Sequence, residues 1–509
     1  MNRSAGVLLA VSSLPSKHGI GCFDRAAYDF IDWLKEAGQT YWQILPLGPT
    51  SYGESGDSPY QSYSAFAGNP YFISLDALVE EGFLKEEEVA GADLEGKDGN
   101  VDYDKLHIAR YSLLRTAYER SGIYESADYQ NFLNENAWWL NDYALFMALK
   151  NFFGMENYWN TWPEDICGRW DYAMSYYNEQ LYFDIEFQKF LQYEFYKQWT
   201  ALKTYANASG IRIVGDIPIY VSLDSADVWA HKELFQLNEK GFPTDISGCP
   251  PDGFSATGQI WGNPLYRWDF HRQTDYSWWI SRMWNSFRLY DVVRIDHFRG
   301  FDEYFSIPSD AKTALSGHWE KGPGIELFRR IEAHLGQHTV IAEDLGLMTD
   351  TVRQLVKDSG FPNMKVLEFG FDPEDIGMSN DYLPHNYGSN CVAYTGTHDN
   401  DTVMGWFTSL SKKEKDHIRE YMGDCKTPLK NMNRALIALV MRTNADTVII
   451  PIQDYLGLGQ EGRMNIPSTV GLNWRWRLKG KETDSRLAEE ILRLTKLYGR
   501  FNWNTLGNE

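Results

Sequence analysis

Short runs of apolar, largely β-branched residues recur along the chain, separated by longer stretches in which apolar positions return every three or four residues. Eight such runs stand out, at residues 6–11, 40–45, 212–217, 291–295, 339–342, 365–369, 391–395 and 447–452. Buried strands alternating with amphipathic helical segments predict an α/β chain with a parallel sheet, and eight strands close a (β/α)8 TIM barrel. A ninth run, 301–307, competes for a place in the set.

Polar side chains stand just past the carboxyl ends of these runs: Gln43, Asp216, Asp296, Glu343, Glu368, His398 with Asp399, and Gln453 with Asp454. In a barrel that rim carries the chemistry. Strand alternation places Arg294 with Asp296 on one face, and likewise Val214 with Asp216 and Ile341 with Glu343. The carboxylates are therefore expected to converge on the barrel axis.

The connections are unequal. The chain reads as one catalytic barrel, 1–509, carrying three insertions: a mainly helical one at 76–206, a long substrate-covering loop at 222–274, and a helical one at 401–441. The loop reading rests on the centre of the second insertion, 249–264, which is dense in glycine and proline.

Composition narrows the partners. Lys and Arg number 48 against 70 Asp and Glu, a net charge of −22 that repels phosphate backbones and anionic lipid, so neither nucleic acid nor membrane is expected. No apolar run approaches the roughly 20 residues of a spanning helix. The five cysteines include no C-x-x-C pair, which suits a reduced, cytoplasmic location. Aromatic residues reach 15%, more than a core alone calls for, so some rings should line a cleft. Tyr60, Tyr63, Phe254, Trp261 and Trp268 flank the candidate site in sequence, whereas Trp138, Trp139, Trp278 and Trp279 read as core.

Three acidic positions could carry chemistry. Asp296, flanked by Arg294, His297 and Arg299, should be held ionised by opposite charge, as a nucleophile must be, although a structural ion pair has the same pattern. Glu343 ends an apolar run, where desolvation raises a carboxyl and lets it carry a proton. Asp399 is a third carboxylate beside His398. Together they suit retaining glycoside cleavage, which needs two carboxyls about 5 Å apart and can use a third to steady a cationic transition state. A competing reading takes Asp216, Asp296 and Glu343 as Mg²⁺ ligands in an enolase-like barrel, but Lys365 begins its strand and is poorly placed as the base, and Arg294 competes with a cation. A carbohydrate-binding protein without turnover would keep the aromatics but need not keep all three carboxylates. No zinc spacing and no G-x-S-x-G elbow is present.

Several longer motifs occur in one order: Ser13-Leu14-Pro15-Ser16, Gly19-Ile20-Gly21, Leu45-Pro46-Leu47-Gly48-Pro49-Thr50, Asp57-Ser58-Pro59-Tyr60-Gln61, Gly215-Asp216-Ile217-Pro218, and Gly258-Gln259 with Trp261-Gly262-Asn263-Pro264. With the three carboxylate segments, they resemble the 4-alpha-glucanotransferases of the amylomaltase or disproportionating-enzyme type, glycoside hydrolase family 77. The resemblance implies retaining transglycosylation of α-1,4-glucans and maltooligosaccharides, with glucose as an acceptor and with no cofactor or metal. It implies Asp296 as nucleophile, Glu343 as acid/base and Asp399 as transition-state stabiliser. Arg294 would orient Asp296, while Tyr60, Asp216, His297 and His398 would hold the sugar. Gln259, Trp261 and Asn263 would belong to a loop over the glucan, and Asp372 would lie near the acceptor. A retaining α-glucan hydrolase is the nearest alternative. Two places depart from the family pattern: Cys22 replaces an aspartate, and residues 53–56 lengthen the turn before Asp57.

Overall fold

A computed structural model describes residues 3–51, 56–251, 255–346, 348–372, 374 and 379–506. Phe254 and residues 53–55 lie outside them. In chain order the strands are β1 (Ser4–Leu8), β2 (Tyr41–Gln43), β3 (Arg212–Pro218), β4 (Asp245–Cys249), β5 (Gln259–Pro264), β6 (Val292–Asp296), β7 (Glu303–Pro308), β8 (His318–Lys321), β9 (Val340–Ala342), β10 (Asn363–Val366), β11 (Cys391–Tyr394) and β12 (Thr447–Pro451). Eight of them form a closed parallel barrel in the order β1-β12-β11-β10-β9-β6-β3-β2. These are the eight runs read from the sequence.

Alternation along each strand separates two cores. Val214, Val292, Ile341, Met364, Val366 and Val392 fill the barrel interior, while Ile213, Val293, Ile295 and Ala342 face the surrounding helices. Burying each of the larger aliphatic side chains contributes about 1.5–3 kcal/mol. Arg294 and Asp296 follow Val292 at the inward phase, and Glu343 follows Ile341, so the polar rim is an extension of the interior face.

The helices are built the same way. Helix Arg25–Glu36 buries Ala27, Phe30, Ile31 and Leu34, one stripe at three- and four-residue spacing, against the sheet. Asp24 starts it by accepting from Ala26 N, and Gly38, at φ 67°, turns the chain away after its end. Cys22 is buried, with its Sγ 3.3 Å from Asp24. Two 27-residue helices, Ala127–Phe153 and Tyr182–Ala208, dominate the connection from β2 to β3 and meet through Tyr129 and Tyr193, 5.3 Å apart. Helices Val403–Ser409, Lys412–Met422 and Met432–Met441 follow β11. Among the described residues, no helix is long and apolar enough to cross a membrane.

Strand limits differ from the apolar runs where apolar residues continue onto the rim. The first run ends in the 3-10 turn Val11–Ser13 and the sixth in the turn Leu367–Phe369, because their side chains still pack after the ladder has stopped. Residues 222–274 are not a simple loop. They contain β4 and β5, paired antiparallel, and β4 pairs in turn with β7, giving a four-stranded sheet in the order β5-β4-β7-β8. The ninth apolar run is thus a strand of this second sheet. Glycine density concealed β5, since Gly258 just before it and Gly262 within it adopt φ of +70° and +81°, while pairing with β4 holds this intrinsically weak strand in place.

Candidate active site

The carboxyl ends of β3 and β6 are in register, with Asp216 opposite Arg294 and Pro218 opposite Asp296. Arg294 is almost wholly buried and spends its guanidinium on two carboxylates. Nη1 donates to both oxygens of Asp216 at 2.8 and 2.7 Å, and Nη2 lies 3.0 Å from Asp296 Oδ1. The Arg294 Nε reaches Met364 Sδ at 3.3 Å. Asp216 also accepts from the Tyr60 hydroxyl at 2.8 Å. That hydroxyl lies 2.7 Å from His398 Nε2, on which the Tyr60 ring is stacked. The Asp399 Oδ2 is 3.3 Å from the same imidazole nitrogen, and its Oδ1 accepts from Asn465 Nδ2 at 2.7 Å. One polar chain therefore runs from Asp399 through His398, Tyr60, Asp216 and Arg294 to Asp296.

Glu343 joins this chain through the backbone. Its Oε2 accepts from His297 N at 2.6 Å and its Oε1 from Leu345 N at 2.7 Å. His297 takes a left-handed conformation, φ 54°, which aims that N–H at Glu343 directly after the turn from Asp296. Asp344 points elsewhere and accepts from Asn363 Nδ2 and Met364 N.

Charge and burial separate the acidic groups. Burial and the neighbouring Asp296 charge push Glu343 up to about 8, against the pull of Arg294 and its two backbone N–H groups. Asp296 departs from the sequence expectation. Burial raises it to about 6, because Arg294 is shared with Asp216, whose charge opposes its ionisation. The Arg299 guanidinium sits over Trp319 at 3.9 Å. Burial would also raise Asp399, but His398 and Asn465 outweigh it and hold this carboxyl well below the usual range. Burial and Arg299 lower His297 to about 3, so it is neutral, and its buried Nε2 has no partner among the described residues.

β5 presents Gln259, Trp261 and Asn263 on one face, as their two-residue spacing requires. Trp261 meets His297 edge-on at 4.7 Å and bonds Gln259 Oε1 through its Nε1 at 3.2 Å. Asn263 is buried and donates to Val221 O. Asp372 stands apart. It is exposed, and its carboxylate accepts from Glu374 N. Tyr63 and Trp268, expected at the cleft, are core residues, 2% and 8% exposed. Lys365 lies within β10 between inward-facing Met364 and Val366, so it points out of the barrel, where it covers the Tyr382 ring. It is no base for an enolase-like centre, and Arg294 occupies the space between Asp216 and Asp296 that a cation would need.

The family model for 4-alpha-glucanotransferase matches residues 9–483. The chain belongs to that family. It is 47% identical to a 4-alpha-glucanotransferase of Clostridium butyricum over 96% of this chain and 99% of the relative. With the Thermus thermophilus 4-alpha-glucanotransferase the identity is 46%, over 94% and 95% of the two chains. Amylomaltase from Streptococcus agalactiae, solved in complex with acarbose, superposes with a TM-score of 0.93 at 40% identity, covering 98% of this chain and 100% of that one.

Sequence reasoning missed the family member's last rim segment. Asn465 fastens Asp399, Arg463 Nη2 donates to the Asp399 carbonyl at 3.1 Å, and Trp474 packs on both Tyr60 and His398. These residues follow β12 with no periodicity and no acidic marker. The one usable signal was their place on the carboxyl side of the last strand.

Proposed function

We propose that the chain transfers α-1,4-glucan segments by a retaining double displacement, with Asp296 as nucleophile, Glu343 as acid/base and Asp399 as stabiliser of the cationic transition state. The observation that carries this is the unequal support of two neighbouring carboxyls: Asp296 is tied to the Arg294 guanidinium at 3.0 Å, whereas buried Glu343 is held by the backbone N–H groups of His297 and Leu345. Burial and the Asp296 charge raise Glu343 further than Asp296, so Glu343 is the one that keeps its proton while Asp296 is ionised. Asp296 Oδ1 is engaged by the guanidinium, so we assign attack on the anomeric carbon to Oδ2. As that bond forms, Glu343 protonates the departing glycosidic oxygen and becomes the base for the next step. The 4-hydroxyl of an acceptor glucan or glucose then gives its proton to Glu343 and attacks the β-linked intermediate, freeing Asp296. An α-1,4 bond replaces an equal one, so no energy source is required.

Tyr60, Asp216, His297 and His398 are assigned to the sugar held by the enzyme. The unpartnered Nε2 of neutral His297 and the exposed portion of Asp399 support this. Gln259, Trp261 and Asn263 on β5 shield the intermediate from water, and residues 222–274 act through this sheet rather than through a flexible cover. We place Asp372 on the acceptor approach and the protein in the cytoplasm.

Product analysis from maltotriose tests the reading. Transfer yields glucose together with oligomers longer than maltotriose, and Asp296→Asn abolishes both products while leaving maltoheptaose binding intact. Shorter sugars with new reducing ends as the sole products would overturn it, as would an active Asp296→Asn variant.

A further inference from the structure

A groove of about 340 Å³ runs between helix Ala127–Phe153 and helix Ser277–Leu289. None of its lining residues belongs to the polar chain around the three carboxylates. Its walls are aromatic: Trp138, Trp139, Trp278, Phe66 and Phe270. Phe66 sits edge-on to Trp138 at 4.8 Å and to Trp278 at 6.0 Å, so the rings form one continuous surface. Trp138, expected in the core, is 44% exposed here.

Trp278 supplies the second observation. It is 7% exposed, yet its buried Nε1 has no hydrogen-bond partner among the described residues. Neighbouring Trp139 donates its own Nε1 to Asn136 Oδ1 at 3.2 Å, so of these two buried indoles lining the groove it is Trp278 that lacks an acceptor, as Trp162 and Trp279 do outside it. An indole N–H can only donate, and a buried donor without an acceptor calls for an explanation. The rim has the opposite need. Asp142 accepts from Arg169 at 2.6 Å and Glu233 lies 3.6 Å from His231 Nδ1, and both carboxylates are part-exposed with capacity to accept more.

We propose that this groove is a second binding site for an α-glucan segment, in which a glucosyl ring lies against the indoles, one of its oxygens accepts from Trp278 Nε1, and its hydroxyls donate to Asp142 and Glu233. The argument runs by elimination. An anion meets the rim carboxylates. An ammonium ion suits the carboxylates and the ring faces but has no acceptor for Trp278. An apolar side chain leaves both the donor and the carboxylates unanswered. A sugar unit provides an apolar C–H face, acceptors and donors in one ligand. The assignment of the ligand as glucan rests on the proposed function, since a polymeric substrate can be gripped at two places by one molecule and so raise its own effective concentration at the cleft.

The test uses the full-length protein in native gels containing amylose, with Asp296→Asn in every sample to prevent turnover, and compares the parent with Trp138→Ala and Trp278→Phe. The parent is retarded. Trp138→Ala weakens retention about tenfold in apparent dissociation constant, and Trp278→Phe, which keeps a ring and removes the N–H, gives a smaller loss. In the Asp296 background both substitutions leave maltotriose transfer unchanged. Equal retention in all three overturns the site. So does a fall in maltotriose transfer, which would make the groove part of the catalytic cleft, or conversion of a dimer to a monomer by Trp138→Ala with retention unaltered. Failure of the functional reading is separate, since it appears as absence of maltotriose transfer in the parent with Asp296 intact.

Discussion

Replacing Asp216 with asparagine probes how Asp296, the proposed nucleophile, is tuned. Asp216 is fully buried and sits 2.7–2.8 Å from Arg294 Nη1, while Asp296 is 3.0 Å from Nη2. Two carboxylates thus face each other across one guanidinium, roughly 6 Å apart by the geometry of the fork. At that distance like charges repel by about 3 kcal/mol at an effective dielectric near 20. Asp296 is 28% open to solvent, and screening there leaves about half of this, close to one pKa unit. The sign follows from the role of Asp216, whose charge raises Asp296. Without that charge Asp296 ionises more readily, and activity survives to lower pH. The acid limb of kcat/KM for maltotriose should move from about pH 6 to about pH 5, with the alkaline limb near pH 8 unchanged. The variant also loses a buried charge pair, so its melting temperature falls, consistent with a cost of about 3 kcal/mol. Initial rates of glucose release across the pH range, alongside thermal melts, separate the two effects. An acid limb that stays in place or moves upward in a folded variant would refute the shared-guanidinium argument.

Glu343→Gln should lower maltotriose transfer by about 10³-fold, since an amide neither gives nor takes the proton. α-Glucosyl fluoride, whose leaving group needs no acid, should restore the first step and leave the protein heavier by one glucosyl residue in its mass spectrum; no adduct means that Glu343 is not the acid. Tyr60→Phe keeps the ring on His398 but removes the hydroxyl shared with Asp216, and kcat/KM should drop about tenfold with little change in melting temperature. Unaltered kinetics would exclude that hydroxyl from the site. Trp261→Ala removes the ring beside His297, so reducing-end production should rise relative to glucose transfer; an unchanged ratio would show that β5 does not exclude water.

The barrel was legible in the sequence because each of its strands has to bury at least one face, and burial leaves a run of apolar residues whatever the loops do. Two of the three carboxylates could be placed on the rim for a related reason: Asp296 and Glu343 extend the inward phase set by Val292 and Ile341. What escaped was decided by tertiary pairing. β5 has Gly262 at positive φ, with Gly258 just before it, and little strand propensity, and pairing with β4 makes it a strand. Arg299 lies three residues from Asp296 yet turns to Trp319, because the chain enters a 3-10 turn at Phe298. The direction of the Asp296 shift was misjudged since the sequence shows Arg294 as its neighbour but not that Asp216, 78 residues before Arg294, shares the same guanidinium. Asn465 and Trp474 act only through contacts that no local pattern encodes.

Closure of the barrel has a consequence for biosynthesis. β1 is hydrogen-bonded to β12, and Arg500 ties the two ends by donating to the carbonyls of Ser4 and Asp446. A nascent chain on the ribosome must hold its first strand with one edge unpaired until more than four hundred further residues have emerged, and Asp399 gains its Asn465 tether later still. The barrel is therefore unable to close, and Asp399 to be fastened, until β12 and Asn465 have been made, and the unpaired edge of β1 is open to wrong pairing in the meantime.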